Sequence, residues 1–404
     1  MTSKFQTPKG FRDFLPRSAS RRRIVLEKIT RAIERFGFEP LETSAVEFSE
    51  TLKGKYGEDE KLIFEFTDRG GRQVALRFDQ TVPLARVIAS NPILPLPFKR
   101  YQIQSCWRAE NPQKGRFREF LQVDFDTVGT SSLLADAEII ACAIACAKEI
   151  GLSDIIMRIN DREIFRGLSS ETIRAIDKLQ KIGENGVIEQ LKREGYKPNQ
   201  AKSLLKKIED SKPTAQINEL FKLMDGLGVD KAKYAFDPTL SRGLDYYTGT
   251  IFELEIEGYA GGSIGGGGRY DNLIGRFTER KTPAVGFSFG FDRLMEACEE
   301  ANLLPIYLPP TKVLVTIFNE GLLPESLSLV SKLRNQGIAA ESALDPSEKL
   351  EKQLKYADKK GVPYTIILGP EEVKTNTVTL KNLASGEQKQ FKLSEIIKIL
   401  RSSV

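Results

Sequence analysis

A chain of 404 residues, 40% hydrophobic and 28% charged, has the composition of a water-soluble globular protein of two or three domains. Its 60 basic and 55 acidic residues leave a formal charge of +5, which permits nucleic-acid binding without demanding it. It contains no histidine, which excludes every mechanism that turns on imidazole: Ser-His-Asp and Cys-His triads, HExxH zinc sites and His general bases.

No apolar run approaches the length of a membrane span, and MTSKFQTPKGFRDFLP has no apolar signal-peptide core. The four cysteines, Cys106, Cys142, Cys146 and Cys298, are too few for a disulfide framework and suit a reducing cytoplasm. Cys142 and Cys146 share a helix face and read as small core residues, so no metal held by protein side chains is expected.

Residues 5–16 form an entry segment punctuated by Pro and Gly. The pattern then predicts a helix capped by Ser18 or Ser20 and stopped at Gly37, with Val25, Ile29, Ala32 and Phe36 as its buried stripe. Residues 38–48 read as extended. LIFEFT (62–67) and QVALRF (73–78) read as strands around a Gly70-Gly71 turn, and a helix follows from Thr81 with Pro83 in its first turn. Residues 98–109 and 120–129 form a long hairpin with a basic tip. Arg108, Lys114, Arg116 and Arg118 surround that tip, and Asp124 and Asp126, two apart, share one strand face. Four cations with two acids suit a polyphosphate or nucleic-acid ligand better than a plain solvated loop.

A helix over 131–150, a strand over 154–160 and a Lys-rich helical module over 161–229 come next, the module with helices near 170–182, 185–194, 199–209 and 214–225. SRGLDYYTGTIFE (241–253) sets Arg242 and Asp245 beside Tyr246 and Tyr247 and ahead of a β-favouring run. With the Gly-rich segment 261–273 it reads as a hairpin, either walling a polar pocket or lying on the surface with packed aromatic rings. Residues 283–304 read as a strand entering a helix that carries Arg293. A Pro-rich linker, 305–311, marks a boundary. Beyond it strands and helices alternate, which predicts a small α/β domain with a largely parallel sheet.

Several of these segments carry a resemblance. RGLDYYTGTIFE (242–253) resembles the signature of histidyl-tRNA synthetases, and CWRAENPQKGRFREFLQVDFDTVG (106–129) resembles their motif 2 loop. AVGFSFGFDRL (284–294) is similar to class II motif 3, PKGFRDFLP (8–16) to the family's N-terminal segment, and residues 350–373 to its anticodon-binding domain. The match runs nearly end to end and is weakest over 161–229.

The resemblance implies an α+β class II synthetase catalytic domain (an antiparallel sheet with flanking helices) over 1–160 and 230–304. It further implies a helical insertion over 161–229 and a C-terminal α/β anticodon-binding domain over 312–404. The implied protein is a cytoplasmic homodimer joined through motif 1 (20–48). It would activate L-histidine with ATP and Mg²⁺ and transfer it to the 3′ end of tRNA-His. By motif match, Arg108 would grip the α-phosphate and the substrate carboxylate, with Arg242 opposite. Arg116 and Arg293 would hold the ATP phosphates or stack on adenine. Asp79, Thr81 and Gln122 would receive the α-amino group, Asp126 and Tyr247 the two imidazole nitrogens, and Tyr270 would line the same pocket. Gln113 would touch the tRNA acceptor end, and Tyr246 would pack. Two departures stand out: Ser44 where the family usually has Pro, and Leu121 where many relatives have His or Tyr. The alternatives are a non-catalytic synthetase paralogue, such as the regulatory subunit of ATP phosphoribosyltransferase, and a tRNA-binding module. Those paralogues generally lack the C-terminal domain and degrade RGLDYYTGT; both are intact here.

Overall fold

Alternation with period two organises the first 300 residues. Along FLQVDFDTV the odd-numbered side chains Val123 and Phe125 are apolar, while Gln122, Asp124 and Asp126 are polar. All five are buried. One face of the sheet is thus apolar and the other polar, and each must be covered.

The computed structural model describes residues 5–53, 57–112, 115–242 and 246–402. The chain forms two compact units, Met1–Pro305 and Ile306–Val404. In chain order the first unit contains α1 (Pro16–Glu34), β1 (Glu39–Pro40), β2 (Val46–Phe48), α2 (Ser49–Leu52), β3 (Glu65–Thr67), β4 (Gln73–Leu76) and α3 (Thr81–Ser90). The hairpin β5 (Phe98–Trp107) and β6 (Glu119–Val128) follows, then α4 (Leu133–Glu149) and β7 (Ile155–Asp161). Four helices come next: α5 (Ser170–Ile176), α6 (Leu179–Arg193), α7 (Pro198–Glu209) and α8 (Ala215–Gly226). The unit closes with β8 (Tyr234–Phe236), β9 (Thr250–Ile256), β10 (Gly265–Arg269), β11 (Ala284–Gly290) and α9 (Phe291–Glu300).

Eight strands form the main sheet in the order β1-β5-β6-β11-β10-β9-β7-β8, antiparallel except where β1 joins β5 and β8 joins β7. Val123, Phe125, Phe287, Phe289, Phe252 and Leu254 project from its apolar face. They form one core with Ile29 and Ile33 of α1, Ile140 and Ile144 of α4, and Leu294 of α9. The Phe125 and Phe287 rings stack at 5.5 Å. Burying each such side chain stabilises the fold by about 1.5–3 kcal/mol. A second, smaller sheet has the order β2-β4-β3.

Some boundaries differ from the sequence expectation. Helix α1 starts at Pro16, whose ring presets a helical φ at N1, and not after Ser18 or Ser20. It ends at Glu34, and Gly37 takes φ 77° in the following turn, so Phe36 lies beyond the helix. Gly183, at φ 69°, breaks α6 internally. Helix α8 contributes Ile217, Leu220 and Met224 to the main core, so the last helix of the 161–229 segment is built into the sheet-backing layer.

The second unit contains β12 (Val313–Val315), α10 (Leu323–Asn335), β13 (Ala340–Ser342), α11 (Leu350–Lys360), β14 (Tyr364–Ile367), α12 (Pro370–Thr375), β15 (Val378–Asn382), β16 (Gln388–Phe391) and α13 (Leu393–Ser402). Its sheet order is β13-β12-β14-β15-β16. The expectation of a largely parallel sheet is corrected. β13, β12 and β14 run parallel, but β15 and β16 pair antiparallel. Helix α12 is too short for a crossover, so the chain returns beside β14. A turn at Gly386 (φ 75°) then adds β16 as a hairpin.

Candidate active site

The polar face of the main sheet is the floor of the site, and strand register decides its composition. Asp126 lies opposite Arg100 on β5 and Gly286 on β11; Asp124 lies opposite Gln102 and Ser288. Arg100 is fully buried and pairs with Asp126 at 2.7 Å. The Tyr270 phenol donates to Oδ1 of Asp126. Gln122 donates from Nε2 to Oγ of Ser288 at 2.7 Å. Burial pushes the Asp126 carboxyl upward against the opposing charge of Arg100.

Glycines make room above this floor. A Cβ on Gly286 would overlap the Asp126 carboxylate, one on Gly266 would overlap the Arg242 guanidinium, and one on Gly268 would crowd the Tyr247 ring. Of the four consecutive glycines of β10, Gly266 and Gly268 leave room for Arg242 and Tyr247, while Gly265 and Gly267 leave room for the Phe287 and Phe252 rings and the backbone of β11.

Arg242 follows the fully buried Ser241 and takes a left-handed φ of 54°, a strained conformation for a non-glycine residue. Its Nη1 pairs with Oε1 of Glu253 at 2.7 Å, and its guanidinium lies 5.6 Å from the centre of the Tyr247 ring. Burial works against the Arg242 charge, but Tyr247 and then Glu253 raise its pKa. The cation is thus paired, charged and largely buried.

The hairpin tip supplies the other cations. Nε of Arg108 donates to the Phe78 carbonyl at 3.0 Å, which orients its guanidinium beside the Phe120 ring. Arg116 lies 3.6 Å from Glu110. Arg293, in the first turn of α9, donates to the Ser263 carbonyl at 2.6 Å. Burial, then the nearby Arg116, lowers its pKa, as expected of cations gathered without enough counter-charge. Asp79 caps α3, its Oδ1 accepting from the Val82 amide at 3.1 Å.

These groups meet in one cavity of about 450 Å³. Asp79, Thr81, Arg108, Arg116, Gln122, Asp126, Arg242, Tyr247, Tyr270 and Arg293, all singled out from the sequence, line it. Gln113 lies outside the described residues. Tyr246, read from the sequence as packing, also lines the cavity, with its ring 5.0 Å from Tyr247 and 5.9 Å from Tyr270. The sequence reading gave no role to Glu253, Glu110 or Ser288, and Asp124 was noted only for its strand face; all four line the cavity. Arg100, also missed, lies beneath it. For Ser288 the signal was composition, as the one polar side chain in AVGFSFG; Glu253 shares its strand with Thr250 and Glu255 and carried no such signal. The arrangement sorts by chemistry. Four arginines can meet a polyphosphate, while Asp79, Asp124 and Asp126 can meet an ammonium and a nitrogen heterocycle.

Comparison with known proteins agrees with this chemistry. A family model described as histidyl-tRNA synthetase matches residues 10–294, and one described as anticodon binding domain matches 312–403. A histidine–tRNA ligase of Cytophaga hutchinsonii is 38% identical over 96% of this chain and 98% of its own length. That of Helicobacter pylori is 38% identical over 95% of each chain. The crystal structure of histidyl-tRNA synthetase from Nostoc sp. PCC 7120 superposes with a TM-score of 0.85 at 32% identity, covering 100% of both chains. Both the cavity that sequence and fold assemble and the full-length matches lead to one conclusion: this chain belongs to the histidyl-tRNA synthetase family.

Proposed function

We propose that the protein activates L-histidine with ATP to histidyl-adenylate and diphosphate, then transfers the histidyl group to the 3′ end of tRNA-His. The observation that carries this reading is a single cavity in which Arg108, Arg116, Arg242 and Arg293 face the buried Asp126 and Tyr247.

The substrate carboxylate attacks the α-phosphorus, an oxygen–phosphorus bond forms, and the bond to the β-phosphate oxygen breaks. No protein group exchanges a proton in that step, so a chain without histidine is fully equipped for it. Catalysis is positioning plus charge stabilisation: Arg108 and Arg242 hold the α-phosphate as negative charge builds on it. Arg116 and Arg293 bind the outer phosphates. Asp79 and Thr81, with Gln122, take the ammonium. Asp126 and Tyr247 take the imidazole nitrogens, Asp126 held in place by Arg100 and Tyr270. A site that pairs both nitrogens rejects analogues lacking them, because its own buried groups would then stand unpaired.

Mg²⁺ enters with ATP. Among the described residues no cluster of three metal-ligating side chains exists. The carboxylates of the cationic wall, Glu110 and Glu253, face arginines at 3.6 and 2.7 Å. That donor set suits an ion carried on phosphate and water, with the protein adding a carboxylate oxygen at most.

The second unit is the anticodon-binding part, and the acceptor-end role stays with Gln113 by motif match. Exposed Val46 and Phe48, at the end of the 20–48 segment, with Phe66 on the same small sheet, support a homodimer interface there. The four buried free thiols support a cytoplasmic location. A histidine-sensing paralogue would need neither the arginine wall nor the second unit. Histidine-dependent ATP–pyrophosphate exchange by the purified protein tests the proposal, and no exchange would overturn it.

A further inference from the structure

Behind Gln122 the cavity floor holds a short relay. Ser288 and Asp124 face each other in register across β11 and β6, and Gln122 lies two residues before Asp124 on the same strand face. The Gln122 Nε2 donates to Ser288 Oγ at 2.7 Å and lies 3.5 Å from Oδ1 of Asp124. Asp124 is only 2% exposed. The Gln122 side-chain carbonyl, Oε1, is buried and has no hydrogen-bond partner among the described residues. A buried acceptor left without a donor is costly unless a ligand supplies one.

Proton counting fixes the relay's direction. An ionised Asp124 can only accept, and the Ser288 side chain hydrogen-bonds to it, so the single hydroxyl proton goes to Asp124. The Ser288 oxygen must then accept, and only the NH₂ end of Gln122 can give. That leaves the Gln122 carbonyl as the end presented to the substrate.

We propose that Asp124 and Ser288 are positioning residues: they hold the Gln122 amide with its carbonyl toward the α-ammonium of the bound amino acid and so set histidine affinity. This rests on the assignment of Gln122 to the ammonium under the proposed function. Without the relay the amide can turn and present NH₂ groups to a cation.

The relay inverts when Asp124 takes up a proton, because a protonated carboxyl donates to Ser288 and releases the hydroxyl proton toward Gln122 Oε1. Burial pushes the Asp124 carboxyl up to about 7, offset by Arg100 and reinforced by Asp126 and Asp79. Arg77 and Cys106 are the other titratable groups that interact with it. Histidine affinity should therefore weaken as pH falls through about 7, beyond what protonation of free histidine accounts for.

Pyrophosphate exchange with the full chain tests this. Ser288→Ala is expected to raise the histidine KM about tenfold with the ATP KM unchanged, the usual scale for a misdirected buried hydrogen bond. Ser288→Thr, which keeps the hydroxyl, should stay near the parent. Asp124→Asn should raise the histidine KM and abolish its inflection near pH 7. Active parent protein with Ser288→Ala at the parent KM, or with Asp124→Asn keeping the inflection, overturns the relay and leaves the proposed function standing. A parent without histidine-dependent exchange overturns both.

Discussion

Gly266 lies against the Arg242 guanidinium, at the one place where a side chain on β10 would strike the cation placed at the α-phosphate. What a methyl group would meet differs between neighbouring glycines. At Gly266 it meets the movable end of Arg242; at Gly267 it meets the backbone oxygen of Gly286 on the paired strand. Gly266→Ala is therefore expected to stay folded, with a smaller loss of stability than Gly267→Ala, yet lose most exchange activity. Gly267→Ala should open the sheet and lower the melting temperature. Circular dichroism melts beside exchange assays check the pair; equal behaviour of the two variants would contradict it.

Arg242→Ala removes a fixed cation from the developing charge. Loss of one such donor costs roughly 3–4 kcal/mol of transition-state stabilisation, or about 10²–10³ in kcat. Single-turnover adenylate formation measures it directly. A rate near that of the parent would remove Arg242 from the chemistry.

Tyr270→Phe deletes the phenol that donates to Asp126 and leaves Arg100 as that carboxylate's remaining partner. The histidine KM should rise by roughly 1–3 kcal/mol equivalent while the ATP KM holds. Isothermal titration with histidine alone reads the first change, and exchange kinetics the second. A parallel rise in both constants would mean that the variant disturbs the whole cavity.

Asp124 also couples stability to pH. Burial raises its folded pKa to about 7, above the ordinary carboxylate value of the unfolded chain. The stability it contributes is full at low pH and is lost as pH rises through about 7. Asp124→Asn removes that loss. Relative to the parent, the variant should gain stability between about pH 4 and 7 and hold the gain above that range. Urea unfolding at pH 5 and pH 8 reports the gap, which must be larger at pH 8.

The division after Pro305 predicts separable activities. A fragment of residues 1–305 retains every described cavity residue and should catalyse histidine-dependent exchange. It should charge tRNA-His poorly, because residues 306–404 are proposed to bind the anticodon. Charging at the full-length rate would refute that role.

What could be read from the sequence divides along a physical line. Strand period, turn glycines and motif spacing were local, and they located the β5–β6 hairpin, α3, α4 and the strand leading into Arg293. SRGLDYYTGT by itself left a pocket wall and a surface hairpin equally open; its likeness to a family signature, and then the tertiary structure, decided for the pocket. Pairing was not local. Nothing in residues 119–128 alone says that Asp126 faces Arg100 and Gly286, or that Ser288 stands opposite Asp124; those neighbours are 26 to 164 residues away in sequence and meet only through sheet register. The same holds for β15 and β16, which return antiparallel because α12 is too short to cross the sheet. The chain by itself determined which chemical groups were available, an arginine- and carboxylate-based site without imidazole. Only the tertiary structure decided which of them touch, because register brings distant strands side by side and the missing Cβ atoms of β10 and β11 let Arg242, Tyr247 and Asp126 occupy the same floor.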